Sequence, residues 1–202
     1  MRIYFTRHGE SEANILREFS SRGIKHGLTE KGRGQMDDLA GKLASVCVTR
    51  ILTSPLLRAK ESSEILGKVL EVPISVAEAL REIDVGDFEG RRDKEAWERY
   101  WQLRKDWSAG KLDSRIEGGE SLKDLERRFV PFLRTLEAGV MPDEEIVLVG
   151  HSGLYCAVLP MILRNVDSIF AESHGIEKAS YVLAEEAGDS LTCKQWGEIS
   201  FP

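Results

Sequence analysis

A chain of 202 residues that is 42% hydrophobic can bury one sizeable core but hardly two, so a single domain over 1–202 is expected. Its net charge of -6 leaves any cluster of cations standing against an acidic background, which makes nucleic acid and anionic membrane poor partners. Three distant cysteines, Cys47, Cys156 and Cys193, without C-x-x-C spacing, argue against a disulfide framework or a cysteine zinc site and are expected to be reduced and buried.

The first element is the apolar run "RIYFT", residues 2–6, a strand that ends in Arg7, His8 and Gly9. It is too short for the apolar region of a signal peptide, and no run of about 18 apolar residues follows, so a cytoplasmic location and no membrane association are expected. Further strand-type runs fall at 49–54, 73–77, 145–150, 179–185 and 191–196. Between them, Leu39, Leu43 and Val46 recur at helical spacing within 29–46, and Leu56, Ala59, Ile65, Leu66 and Val69 do so within 55–70. Ser54 and Pro55 read as N-cap and first helical residue of the second helix, and Ser121 with Asp124 as a capping box opening a helix over 122–136.

Strands alternating with long helices imply the α/β class: a three-layer α/β/α domain with a mostly parallel sheet. The last two strands, separated by "EAGDS" at 186–190, read as an antiparallel hairpin at an edge, through which two copies could pair as a homodimer. The polar, Trp- and Arg-rich stretch at about 87–119 reads as an inserted helix and loop over the sheet, covering the edge where ligands bind. Its Trp97, Trp101 and Trp107 are expected to pack the insertion down rather than stack on bases, because their surroundings are mixed in charge.

In an open parallel sheet, ligands bind beyond the carboxyl ends of the strands. Arg7 and His8 follow the first strand, Ser54 and, a turn later, Arg58 follow the second, and His151, Ser152 and Gly153 follow the 145–150 run. Arginine forks match phosphoryl oxygens bidentately and stay charged, while a neutral imidazole can itself accept a phosphoryl group. Gly9 would let its backbone approach His8 and orient the ring by accepting from one ring nitrogen. A carboxyl group must then protonate the leaving alkoxide. Glu82 in "LREIDVGDFEG" is the leading candidate, with Glu78, Asp84, Asp87 and Glu89 as local rivals. Repulsion by a dianionic ester would keep such a carboxyl protonated until needed, after which it could deprotonate water.

The ordered segments "TRHGESEAN", "GLTEKGRGQ", "SPLLRAKESSEIL", "LREIDVGDFEG", "EGGESLKDLERRF" and "VGHSG" resemble the histidine phosphatase superfamily, in its phosphoglycerate-mutase-like branch. The resemblance implies that His8 is phosphorylated, that Arg7, Arg58 and His151 hold the phosphoryl group, that Glu82 is the proton donor and that Asn14 reaches the phosphate. Ser152 and His26 are added as candidate substrate contacts. The chain departs from many mutases in "SSRGIKHGLTE", where Lys25 and His26 replace a tryptophan-bearing turn, so substrate contacts there do not carry over. The shorter middle insertion is closer to the family's small phosphatases, including α-ribazole phosphatase and broad-specificity types. Substrate choice is expected to depend on Lys25, His26, the 91–113 region and Tyr155.

Rival motifs are weak. "VGHSGL" has Leu154 where a serine-hydrolase elbow needs glycine, and "GRGQMD" falls short of a dinucleotide fingerprint. There is no Walker A lysine motif and no metal-ligand spacing, and the proposed chemistry needs neither cofactor nor metal. The expectation is a phosphomonoesterase acting on a small phosphorylated metabolite; a mutase using the same pocket is the alternative, and a non-catalytic binding module the third. His174 is expected to be a surface or structural residue.

Overall fold

A computed structural model describes residues 1–139, 141, 143–186 and 190–202. Among these, strands β1 (Arg2–Arg7), β2 (Val48–Thr53), β3 (Ile74–Val76), β4 (Glu145–Gly150), β5 (Tyr181–Glu186), β6 (Leu191–Trp196) and β7 (Ile199–Ser200) form one sheet in the order β3-β2-β4-β1-β5-β6-β7. The first four in that order are parallel, and β5, β6 and β7 run antiparallel to their neighbours. Helices α1 (Glu12–Leu16), α2 (Glu30–Leu43), α3 (Leu57–Leu70), α4 (Lys94–Ser108), α5 (Leu122–Ala138), α6 (Ser152–Ile162) and α7 (Ser168–His174) connect them. The domain is thus the three-layer α/β/α expected.

Period-2 alternation in the central strands feeds two cores. Ile3, Phe5, Ile146 and Leu148 pack with α5 and α6 through Leu125, Phe129, Leu154 and Val158. Tyr4, Val147 and Val149 pack on the other face with Met36, Leu39 and Leu43 of α2 and Ala59 and Leu66 of α3. Strands covered on both faces lose the apolar-polar alternation, which is why β4 reads as a continuous apolar run.

Burial rather than propensity holds α2. It contains Gly32, Gly34 and Gly41, each costing roughly 1 kcal/mol against alanine. Burying Met36, Leu39 and Leu43 contributes roughly 1.5–3 kcal/mol apiece, which outweighs that cost. Gly32 has a packing reason: a Cβ there would run into the Glu10 backbone, just as one on Gly9 would run into Gly32. The loop after β1 therefore rests directly on α2.

Several boundaries differ from expectation. α3 starts at Leu57 with Leu56 as N-cap, so Ser54 and Pro55 precede it; the Ser54 hydroxyl instead accepts the Leu56 N–H at 3.3 Å. The capping box of Ser121 and Asp124 is present. β5 and β6 form the antiparallel pair, but the short β7 lies outside them at the sheet margin. The turn expected between β5 and β6 includes residues 187–189, which lie outside the described ones. Cys156 and Cys193 are buried and free, whereas Cys47 is exposed. His174 is on the surface, stacked on Phe170. Among the described residues, no helix is long and apolar enough to cross a membrane.

Candidate active site

Parallel register makes the site. β2 and β1 flank β4, with Thr53 opposite Val149 and Arg7 opposite Gly150. The residues just past these three strands, Ser54, His151 and His8, therefore meet at one sheet edge.

His8 is 3% exposed. Its Nδ1 lies 2.6 Å from the Gly9 carbonyl, and its Nε2 lies 3.1 Å from Arg58 Nε. A carbonyl can only accept and an arginine Nε–H can only donate, so the proton sits on Nδ1 and the lone pair on Nε2. Burial, followed by the charges of Arg58 and Arg7, holds the His8 pKa well below 6.5, so the ring is neutral at neutral pH.

Arg58 occupies the first turn of α3 and also donates from Nη2 to the Ser20 carbonyl at 2.7 Å. Burial lowers its pKa to about 10, which leaves it cationic at neutral pH. Ser62, one turn further, accepts the Gly9 N–H at 3.2 Å and donates to the Arg58 carbonyl at 2.7 Å, tying the His8–Gly9 turn to α3. Arg7 donates from Nη1 to the Ile176 carbonyl at 2.6 Å, while its buried Nε has no hydrogen-bond partner.

His151 is fully buried behind His8, with ring centroids 5.1 Å apart at 62°. Its Nε2 lies 2.8 Å from Ser54 Oγ, and its buried Nδ1 has no partner. Burial, with Arg58 and then His8, holds its pKa well below 6.5.

Glu82 reaches this edge from the loop after β3. Its carboxylate accepts N–H groups from Ile83 at 2.9 Å and, in the first turn of α6, from Leu154 at 2.7 Å and Gly153 at 3.2 Å. A Cβ on Gly153 would stand 2.7 Å from Glu82 Oε1, so only glycine admits this approach. Arg128 of α5 steadies the loop by donating to the Ala79 carbonyl at 2.7 Å while pairing with Glu120. Three of the rivals are occupied elsewhere: Glu78 pairs with Arg81, Asp84 with Arg22, and Glu89 accepts from Ser21, while Asp87 is exposed.

One cavity of about 340 Å³ is lined by Arg7, His8, Asn14, Arg58, Glu82 and Ser152 together with side chains of α4. Asn14 Oδ1 accepts the Ser11 N–H at 3.1 Å, and Ser152 Oγ accepts the Ile176 N–H at 3.2 Å. His151 abuts His8 rather than lining the cavity. His26 is not brought to it: its Nε2 lies 3.0 Å from Glu18 Oε1, and with Lys25 it lines a separate cleft beside Ile15 and Leu16. Tyr155 is likewise fully buried, with its hydroxyl on the Leu148 carbonyl.

Sequence reasoning missed Ser62, Arg104 and the aromatic wall of Phe19 and Tyr100. Ser62 was findable, since it stands at i+4 from Arg58 on the same helix face. Arg104 was not, because nothing in α4 distinguishes a 4% exposed arginine from a solvated one. Among the described residues, no group of three or more His, Cys, Asp or Glu is placed to hold a metal ion.

The arrangement offers a ring nitrogen with its lone pair unprotonated, two arginines beside it, a carboxylate on the cavity wall and two buried N–H or N sites without partners. A family model described as the histidine phosphatase superfamily (branch 1) matches residues 3–199. The "Probable phosphoglycerate mutase GpmB" of Salmonella choleraesuis is 32% identical over 128 residues, 63% of this chain, and the match spans 59% of that relative's length. Among solved structures, Bacillus stearothermophilus YhfR is 26% identical with a TM-score of 0.83, covering 98% of both chains. A mycobacterial glucosyl-3-phosphoglycerate phosphatase complexed with VO3 is 26% identical with a TM-score of 0.83, over 97% of this chain and 98% of that one. The α-ribazole phosphatase of Shigella flexneri, 20% identical with a TM-score of 0.80 over 100% of this chain and 98% of its own, shares the fold.

Proposed function

The chain belongs to branch 1 of the histidine phosphatase superfamily, and on that premise we propose that it hydrolyses a small-molecule phosphate monoester through a phosphohistidine on His8. The observation that carries this reading is the pair of contacts at His8. With Nδ1 held by the Gly9 carbonyl at 2.6 Å and Nε2 facing Arg58 at 3.1 Å, a neutral imidazole presents its lone pair to a cation that can bind phosphoryl oxygens.

In the first step the ester's oxygens take over the N–H groups of Arg58 and Arg7. Arg7 Nε, on the cavity wall without a protein partner, suits such an oxygen, since a buried polar atom left unpaired costs about 1–3 kcal/mol, while His151 stands behind His8. His8 Nε2 attacks phosphorus, the P–O bond to the alcohol breaks, and Glu82, which enters the cycle protonated beside the anionic ester, gives its proton to the departing oxygen. Asn14 and Ser152 add polar contacts from the cavity wall. In the second step water attacks phosphorus, Glu82 takes its proton, the P–N bond breaks, and orthophosphate leaves with His8 neutral again. No step calls for a cofactor or metal ion.

A mutase reading draws support from the 32% match to the Salmonella relatives. It would use the same first step and return the phosphoryl group to a second alcohol oxygen. The hydrolytic reading is supported by the phosphatases among the structures similar to this chain. The test is phosphate release from p-nitrophenyl phosphate, which His8→Ala should abolish and vanadate should inhibit competitively by mimicking five-coordinate phosphorus. Release that survives His8→Ala would refute the mechanism.

A further inference from the structure

Beyond its phosphoryl end, the cavity is walled by four aromatic side chains. Phe19 and Trp97 stack at 4.1 Å, Tyr100 stands edge-on to Trp97 at 5.8 Å, and Trp101 lies 5.3 Å from Tyr100. Phe19 and Tyr100 are 6% and 7% exposed, whereas Trp101 is 52% exposed although it lines the cavity. Trp97 is held in place by its indole N–H, which donates to the Arg17 carbonyl at 2.9 Å. Three are thus fixed by packing or hydrogen bonding, and the fourth presents a large apolar face to whatever enters.

Charge is distributed unevenly along the same cavity. Arg7, Arg58 and Arg104 are the lining cations among the described residues. Arg7 and Arg58 belong to the phosphoryl end. Arg104 is committed elsewhere: Nε and Nη2 pair with Glu172, and Nη1 donates to the Gly153 carbonyl at 2.8 Å and to the Tyr100 hydroxyl at 3.3 Å. Lys25 does not line the cavity and pairs with Glu18, which does. A second anionic group on a ligand would meet the negative faces of aromatic rings and the ion-paired Glu18 and Glu172, with no uncommitted cation in the lining beyond the phosphoryl end to offset its loss of water.

We infer that the leaving alcohol of the substrate carries a flat aromatic ring and no second anionic group, an inference that rests on the phosphatase reading above. The ring lies against the wall formed by Trp97, Tyr100 and Trp101, with its ester oxygen beside Glu82. Carboxylated alcohols such as phosphoglycerates, and bisphosphates, are disfavoured at this end, because the second grip that they need is absent from the lining.

The test compares kcat/KM for phosphate release from benzyl phosphate, glycerol 3-phosphate and 3-phosphoglycerate. All three leaving groups are alkoxides, so the chemistry of departure is similar. The expected order has benzyl phosphate ahead of glycerol 3-phosphate by about tenfold or more, the size of one good aromatic contact, and 3-phosphoglycerate last. Trp101→Ala should collapse the benzyl-to-glycerol preference by about tenfold, largely through KM, and Trp101→Phe should restore most of it. Equal or better turnover of 3-phosphoglycerate, or a preference untouched by Trp101→Ala, would overturn the inference and leave the phosphatase reading standing as long as release depends on His8. Release that persists in His8→Ala would instead strike the phosphatase reading itself.

Discussion

Arg58 and His8, 50 positions apart in sequence, meet through Arg58 Nε and His8 Nε2 at 3.1 Å inside the protein. The contact fixes which ring nitrogen is unprotonated and keeps a cation at the atom proposed to attack. It also burdens both groups, since burial lowers the pKa of each and the Arg58 charge lowers that of His8 further. The α3 turn bears this because Ser62 and the Ser20 carbonyl hold it from either side.

Arg58→Lys keeps a charge but loses the fork that spans two phosphoryl oxygens. A loss of about 10²–10³-fold in kcat is expected, on the scale of removing one preorganised donor from a developing anion. Steady-state kinetics on p-nitrophenyl phosphate checks this, and a variant within a few-fold of the parent would remove Arg58 from the proposed chemistry.

Glu82→Gln should slow alkyl phosphates by about 10²–10⁴-fold and aryl phosphates much less, because only the poor leaving groups need a proton. Equal losses for both kinds of ester would count against Glu82 as the acid.

Gly153→Ala places a methyl group 2.7 Å from Glu82 Oε1. About 10- to 100-fold lower kcat on alkyl phosphates is expected, with aryl phosphates spared, as for a displaced acid. An unaltered leaving-group dependence would show that Glu82 tolerates displacement.

Stability should fall as pH drops below 6.5. The folded pKa values of His8 and His151 are well below that figure, so the folded protein keeps both rings neutral while the unfolded chain takes up protons. The unfolded state therefore binds more protons, and stability declines with falling pH by up to about 1.4 kcal/mol per pH unit for each ring. It is fully present above 6.5. Urea unfolding between pH 7.5 and 5 measures the slope, and His8→Gln, which cannot titrate, should flatten it. An identical slope in that variant would assign the effect to other groups.

The alternation of apolar strands and helices made the layered fold legible, and the polar residues after β1, β2 and β4 were legible as a group because parallel strands end at a common edge. Glu82 needed the resemblance, since four other carboxylates share its segment and only the amides at the start of α6 single it out in space. His26 was misplaced because its position follows from a pairing with Glu18 that no spacing rule announces. The aromatic wall was hidden for a similar reason: Phe19 and Trp97 stack across 78 positions of chain, and the insertion's tryptophans read only as packing residues. Trp107 fits that reading at 5% exposed, whereas Trp101 does not.

The most direct test of the central claim is rapid quenching of a single turnover with a phosphate ester labelled in its phosphoryl group. Label should appear on His8, labile in acid and stable in base, and should decay to orthophosphate at least as fast as steady-state turnover without a bisphosphate primer. Absence of label on His8 during turnover, or a long-lived phosphoenzyme that returns its phosphoryl group to an alcohol rather than to water, would contradict the account.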